Sequence, residues 1–334
     1  MNCGGRIVKV YVKSPARLHL GLIDVHGGLG RMFGGLGVGI DRPNVILTAY
    51  NSDAMIIRGK KTELTKVLVQ RFLDFYDVKA NVEVEVKQVI PEHKGLGSGT
   101  QMALAVATAL AKLFSINAST EQLSSAMGRG QRTGIGTAVF AKGGFVVDGG
   151  KHVANRSPTS PRSPIILRRP FPEDWRFIVA VPDGGTGLAN DAEINAFKKL
   201  FPTENENASK ICRLIVMKLL PALVEHDIVS FGEALTEIQE AIGESFSSVQ
   251  GGIYSSELVT MGVKFMHEHG ARGAGQTSWG PAFFALVEER KAENLRARVQ
   301  AFLNEHGGGK AFVAAPNNKG AHVRILRTPN KQHG

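Results

Sequence analysis

One stretch constrains the fold more than any other: Gly95-Leu96-Gly97-Ser98-Gly99-Thr100-Gln101, running straight into an Ala/Leu/Val/Met segment over residues 101–114. An apolar run of helical length with almost no polar face predicts a helix buried on all sides. An extended stretch and a proline, Val89-Ile90-Pro91, come just before. The order is therefore strand, loop, buried helix. Glycines let such a loop curl with its N–H groups turned inward. The helix N-terminus adds partial positive charge, and the combination predicts a phosphate cradle. Ser98 and Thr100 either donate hydroxyls to the phosphate or cap the helix. A Walker loop is excluded, because no Gly-Lys-Ser/Thr follows at the required spacing. The candidate phosphate-binding set is Lys94, Gly95, Leu96, Gly97, Ser98, Gly99, Thr100 and Gln101, joined by Arg129 and Arg132 from a later glycine cluster.

Around this core, alternation predicts strands over residues 6–13, 45–50 and 81–89. The last is the cleanest, with Val82, Val84 and Val86 alternating with Glu83, Glu85 and Lys87. Helices are predicted over 64–75 and 120–129, and a strand over 139–148. Five prolines between residues 154 and 173 mark a boundary between two domains, 1–160 and 161–334. Beyond it, strands are predicted over 177–181, 281–287 and 321–326. Helices are predicted over 208–225 (kinked or restarted at Pro221), 231–245, 256–269 and 292–305. The tail over 328–334 is expected to fray. Strands and helices intermix in both halves, which indicates two α+β domains rather than one doubly wound sheet.

Composition removes several classes of function. The chain has 334 residues, no run of 18 apolar residues and no apolar stretch near its N-terminus of the secretory kind. No membrane partner is expected. Cys3 and Cys212 cannot form a disulfide framework or a four-cysteine zinc site, so a reducing cytoplasm is the expected compartment. The net charge of +10 suits polyanions or phosphorylated small molecules. Two Trp and four Tyr give few platforms for stacking nucleic-acid bases, so nucleic acid is not the expected partner.

Three further glycine clusters follow the same theme. Arg17-Leu18-His19-Leu20-Gly21-Leu22-Ile23-Asp24 precedes seven glycines between residues 27 and 39. In an extended chain Arg17 and His19 share one face and suit an anionic substrate. His19, flanked by leucines, is equally readable as a satisfied core histidine. Arg129 and Arg132 flank Gly130 and precede Thr133-Gly134-Ile135-Gly136, and offer phosphate contacts or a solvated surface. Gly273-Ala274-Gly275-Gln276-Thr277-Ser278-Trp279-Gly280 reads as a tight loop before a strand. Its Gly273, Gly275, Gln276, Ser278 and Trp279 are candidate substrate contacts, with Trp279 either stacking on a planar ligand or anchoring the loop.

In this order and spacing the clusters resemble the GHMP kinase superfamily of galacto-, homoserine and mevalonate kinases. That resemblance implies an N-terminal domain like ribosomal protein S5 domain 2, a ferredoxin-like C-terminal domain, and a homodimer. The stretch Thr133–Val139 departs from it. Several of these kinases read Ser-Gly-Ile-Asp-Asn-Ala-Val there, and the aspartate that supports phosphoryl transfer is Gly136 in this chain. Arg17–Asp24, Arg132–Gly136, Gly143–Gly150, Val249–Gly252 and Gly273–Gly280 are more closely similar to the β-ribofuranosylaminobenzene 5′-phosphate synthase family. Such enzymes make an early intermediate of methanopterin in archaea. They condense phosphoribosyl diphosphate (PRPP) with an aromatic carboxylic acid, 4-aminobenzoate or 4-hydroxybenzoate, and release CO2 and diphosphate. The resemblance implies PRPP phosphates on the 95–101 loop and Mg²⁺ on the leaving diphosphate. It implies catalytic roles for Arg17, His19 and Asp24, with Asp24 on ribose hydroxyls or Mg²⁺. An ATP-dependent small-molecule kinase, with Asp24 or Asp148 replacing the missing acid, is the alternative. A nucleic-acid-binding module would leave the glycine loops without a role.

Overall fold

The computed structural model describes residues 7–153, 163–187, 195–197, 200 and 207–328. Two antiparallel hydrophobic strands dominate the first half. β1 (Ile7–Asp24) buries Val10, Val12, Ala16, Leu18 and Leu20 in the core, so its alternation continues well past the expected end at residue 13. β2 (Arg31–Ser52) takes in much of the second glycine cluster, including Gly34, Gly35, Gly37 and Gly39, for which the sequence predicted no strand. Its 22 residues are long enough to pair with β1 along most of their length and with other strands on the opposite edge.

β3 (Ile56–Gly59), α1 (Thr62–Phe75) and β4 (Asn81–Gln88) follow, with β3 and β4 parallel. α2 (Ser98–Leu113) is buried over nearly its whole length, as its composition requires. α3 (Thr120–Ala126) opens with a Ser119–Gln122 capping box. The segment expected as a strand over 139–148 is instead α4 (Ile135–Lys142) and a short β5 (Phe145–Asp148). The Asp148 carboxylate accepts the Gly134 N–H at 3.0 Å and so anchors the chain just before the helix, a long-range contact that no local pattern announces. β6 (Lys151–His152) pairs with the start of β2.

β7 (Ile165–Arg169) pairs with β5, and β12 (His322–Thr328), the last strand, pairs with β1. Both lie past residue 160 yet belong to the first, eight-stranded sheet. The two sheets therefore do not divide at 160/161. The chain leaves the first sheet after β7 and returns to it at the end. Residues 154–162, with Pro158 and Pro161, and the tail 329–334 lie outside the described residues.

The second sheet has four antiparallel strands in the order β11 (Gly309–Ala314), β8 (Trp175–Pro182), β10 (Phe283–Glu288), β9 (Gly273–Gln276). After β8, α5 (Asn207–Leu214) and α6 (Leu220–Glu225) are joined by a π turn over Ile215–Leu219, so the helix restarts at Leu220, one residue before Pro221. The wider π turn accommodates a proline that has no N–H to give the preceding turn. α7 (Ile228–Gln250) is capped by Asp227, and α8 (Glu257–Glu268) by Ser256. α9 (Glu289–Glu305) completes the set. One face of the second sheet packs with α8 and α9 around Phe283, Val287, Val299 and Phe302. The other carries Phe177, Phe284 and Leu286 into the main core with Phe231, Leu235 and Ile238 of α7. α7 thereby joins the two sheets, and the cavity forms along it.

Candidate functional site

A cavity of about 710 Å³ opens between β1, the start of α2, the 128–133 loop and α7. Its two ends differ in chemistry. Arg17, His19, Thr100, Arg129, Arg132 and Thr133 form a cationic, hydroxyl-bearing end. Phe197, Ile242, Phe246, Ile253, Tyr254 and Trp279 form an apolar end. The cavity wall holds no carboxylate among the described residues.

Arg17 and His19 reach the cavity because of how β1 meets β2. Both lie opposite glycines, Arg17 across from Gly39 and His19 across from Gly37. A β-bulge between His19 and Gly21 inserts Leu20 as an extra residue and re-aims the chain. A Cβ at Gly35 would lie 3.4 Å from the His19 ring, so β2 leaves space for the imidazole. Arg17 is tied to the 95–97 turn: its Nη1 donates to the Gly95 carbonyl at 2.7 Å and its backbone N–H to the Leu96 carbonyl at 3.3 Å.

Thr277 joins these parts through one hydroxyl. It accepts the His19 backbone N–H at 2.9 Å and donates to the Gly95 carbonyl at 2.7 Å. Gly95 sits at φ +78° with the Thr277 carbonyl so close that a Cβ would lie 2.1 Å from it, so only glycine fits.

Burial, then the neighbouring Arg17 charge, pull the His19 pKa down to about 3. The ring is neutral. Its Nδ1 accepts the Gly21 N–H at 3.3 Å, which assigns the proton to Nε2, 3.5 Å from the Thr133 hydroxyl. His19 therefore offers the cavity an uncharged donor rather than a cation.

Arg129 supplies the strongest demand for an anion. Burial, then the Arg71 guanidinium from α1, lower its pKa. Its Nε is buried with no hydrogen-bond partner. The guanidinium lies beside the first turn of α2, where a Cβ at Gly99 would be 3.2 Å from Nη1. Two close guanidiniums, an unused donor and a helix N-terminus meet at one point, and an anion there relieves all three. Arg71 itself is held by its Nε donating to the Ala126 carbonyl at 2.8 Å. Arg132 lies over the Phe197 ring at 5.1 Å and so stands where the cationic and apolar ends meet.

Several sequence-predicted residues are placed elsewhere. Lys94 donates to the carbonyls of Pro182, Gly184 and Gly185 at 3.0, 2.6 and 2.9 Å, which uses all three ammonium hydrogens away from the cavity. Asp24 accepts the N–H groups of His26 and Gly27 and closes the turn after β1, outside the cavity wall. Gln101 is fully buried between Ser14 and the Gly136 carbonyl. Leu96 is a core side chain, and Ser98 borders a separate small hollow with Lys61 and Glu92. α2 is N-capped by Gly97 at φ +80° with no side-chain cap, so neither Ser98 nor Thr100 caps it; Thr100 instead lines the cavity.

Gly273 and Gly275 are in β9, not in a loop, and face α7. Gln276 lines the cavity but is bonded to Ser255, Ser278 and Gln239. Ser278 lines it while its N–H holds the His19 carbonyl at 3.1 Å. Trp279 is only 9% exposed and packs edge-on with Phe197 and Phe246, at 5.4 and 4.9 Å between ring centres. It is an anchor that forms cavity wall rather than an open stacking platform.

Residues 63–144 match the family "GHMP kinases N terminal domain", and residues 219–305 match "GHMP kinases C terminal". A homoserine kinase from Cytophaga hutchinsonii superposes with a TM-score of 0.67 at 18% identity, covering 97% of this chain and 99% of that one. The architecture is the two-domain α+β fold of GHMP kinases. Two archaeal proteins are more similar in sequence, and both are named beta-ribofuranosylphenol 5′-phosphate synthase. The one from Archaeoglobus fulgidus is 33% identical, covering 94% of this chain and 99% of its own length. The one from Methanothermobacter thermautotrophicus is 32% identical, covering 95% and 99%. The chain belongs to this synthase family, built on the GHMP kinase fold, and is an enzyme of that family.

Proposed function

We propose that the enzyme joins the anomeric carbon of PRPP to the ring carbon of a para-substituted benzoate and releases CO2 and diphosphate. The observation that carries this reading is the divided cavity. Its cationic end suits phosphates, and its apolar end suits a benzene ring. The product in the relatives' name, a ribofuranosylphenol phosphate, favours 4-hydroxybenzoate as the acceptor.

In this reading the bond from the anomeric carbon to diphosphate breaks and leaves an oxocarbenium-like centre. The ring carbon bearing the carboxylate forms the new C–C bond. The C–CO2 bond then breaks, its electron pair restores the aromatic ring, and CO2 leaves. Arg129, backed by Arg71 and the α2 N-terminus, holds phosphate oxygens. Arg17 and Arg132 extend the positive field over the remaining anionic groups. The neutral His19 donates from Nε2 without adding a charge that would repel the cationic centre. Trp279, Phe197 and Phe246 exclude water, which would otherwise capture that centre.

Among the described residues the expected Mg²⁺ finds no cluster of carboxylates to hold it. The cavity wall offers cations and hydroxyls rather than carboxylates, Asp24 is held by its own turn, and Asp148 is engaged with the Gly134 and Gly150 N–H groups. Mg²⁺ belongs in this scheme to the substrate, as the complex it forms with PRPP. The same facts weigh against the kinase reading. A Cβ at Gly136 would lie 3.0 Å from Thr100 Cγ2, so the position where GHMP kinases carry an acid is closely packed.

The test is release of labelled CO2 from carboxyl-labelled 4-hydroxybenzoate. Release that requires PRPP supports the proposal. ATP turnover with small alcohols and no CO2 would replace it with the kinase reading.

A further inference from the structure

On the far side of the first sheet from α2, β1, β2, β4 and β12 form the floor of a second hollow of about 380 Å³. Pairing registers Tyr11 with Thr48 on one side and Arg324 on the other, and Lys9 with Tyr50 and Leu326. Because Val10, Val12, Leu47 and Ala49 point into the core, their neighbours along each strand face outward. Lys9, Lys87, His322 and Arg324 line the hollow with Tyr11 and Thr48.

The acidic groups on this face already have partners. Glu83 accepts from Arg58 at 2.8 Å, and Glu85 stands 3.6 Å from Lys87. Among the described residues neither Lys9 nor Arg324 has a carboxylate within ion-pair distance. Lys9 lies over the Tyr50 ring at 5.3 Å. On the floor, Thr48 is 2% exposed and its Oγ1 has no hydrogen-bond partner. Buried hydroxyls in folded proteins ordinarily find a partner, so this one calls for an acceptor from outside the chain.

We propose that this hollow is a second anion site, distinct from the cavity, which takes inorganic phosphate or a small phosphate monoester. The Thr48 hydroxyl donates to one phosphate oxygen, and Lys9 and Arg324, which have no carboxylate beside them among the described residues, face the others. A tetrahedral oxyanion fits one central donor ringed by cations. Nucleic acid fits less well, because Lys9 lies over the Tyr50 ring and Tyr11 meets His322 edge-on, so both rings are already engaged.

The proposal does not depend on the reaction proposed above. The experiment titrates inorganic phosphate into the full chain by calorimetry, in an Arg129→Gln background that weakens the cavity. One phosphate site is expected to remain. Its affinity is expected to fall at least tenfold in Lys9→Gln/Arg324→Gln and several-fold in Thr48→Val, with thermal unfolding confirming that each variant is folded. Phosphate binding left unchanged by these substitutions would overturn the site. So would the absence of phosphate binding in the Arg129→Gln background, or binding of an RNA oligomer that phosphate does not displace.

Discussion

Two glycine clusters of similar composition do opposite work in this molecule. In the 95–99 turn, Gly95 and Gly97 sit at φ +78° and +80°, and at Gly99 the nearest neighbour to an added Cβ is the mobile end of Arg129. Gly95 packs against the Thr277 carbonyl and Gly97 against Arg17, while Gly99 leaves the first turn of α2 open to the Arg129 guanidinium. In β9, Gly273 and Gly275 are buried in a strand. An added Cβ would lie 2.5 Å from the Gly232 carbonyl oxygen and 2.4 Å from Gln239 Cγ. There the missing side chains let α7 close on the sheet. In the proposed function Gly99 makes room for phosphate, whereas Gly273 and Gly275 make room for protein, a difference of packing partner that composition does not record.

The sharpest way to break this comparison is to remove the cation at the open cluster. Arg129→Gln is expected to lower kcat/KM for the phosphoribosyl donor by about 100- to 1,000-fold, the range for losing one preorganised charged donor. Its folding stability is expected to hold or rise, because the native guanidinium is desolvated and faces Arg71. Steady-state kinetics beside denaturant unfolding separates the two effects. Equal losses of activity and stability would make Arg129 a structural residue and dissolve the distinction.

The closed cluster is expected to respond in the opposite sense. Gly275→Ala should cost about 2–3 kcal/mol of stability through overpacking. Gln239 cannot move aside freely, since its amide donates to the Leu20 carbonyl at 2.6 Å and accepts the Gln276 N–H at 2.9 Å. The midpoint of urea unfolding measures this. KM in the folded fraction should stay near the wild-type value.

These two clusters also mark what could be read from the chain. The α2 helix and β4 were legible because their patterns are local: a run without a polar face, and strict alternation. The first half of β2 and all of β9 were not. Glycine hides strand propensity, and only the pairing with β1 and β10 makes those segments extended. α4 was misread as strand because its start carries no side-chain cap and the group that anchors it, Asp148, follows the helix. In the site, Arg17, His19, Arg129 and Arg132 stood out as charges among glycines. Arg71, Thr277 and Gln239 did not, since each acts on a partner far along the chain. Lys94 and Asp24 had the right chemistry beside the right motifs, yet Lys94 donates to carbonyls far along the chain and Asp24 is taken up by the N–H groups of the turn that follows it.

Titration sharpens the comparison further, with a smaller net effect. His19, buried above the glycines of β2, has a folded pKa near 3 against 6.5 when unfolded. Unfolded chains then bind the extra proton, so this group removes stability as pH falls from about 6.5 towards 3. Asp148 is pushed by burial up to about 6 from 3.8. The folded state holds its proton more tightly, so this group adds stability as pH falls from about 6 towards 3.8. At about 1.4 kcal/mol per unit the two largely cancel between pH 6 and 4, leaving a net contribution on the order of 1 kcal/mol. Asp148→Asn is expected to uncover the His19 slope, so that the variant loses stability steeply below pH 6. Urea midpoints at pH 4, 5 and 6 check this, and parallel curves for wild type and variant would contradict it.

The smallest stability change is expected where the open cluster is altered most gently. At Gly99→Ala the new methyl meets the Arg129 guanidinium, whose Nη1 is nearest at 3.2 Å. Gly99 lies in the first turn of α2 without a positive φ, so alanine adopts its backbone without strain and favours the helix by up to about 1 kcal/mol. Stability should therefore stay within about 0.5 kcal/mol of wild type, or rise. Function should not be spared in the same way. The methyl occupies the space beside the guanidinium through which phosphate oxygens would approach the helix N-terminus. A KM for the phosphoribosyl donor raised roughly tenfold, which is about 1.4 kcal/mol, is the expected result. A stable Gly99→Ala with an unchanged KM would mean that phosphate does not use this approach, and the open cluster would then be a packing device like the closed one.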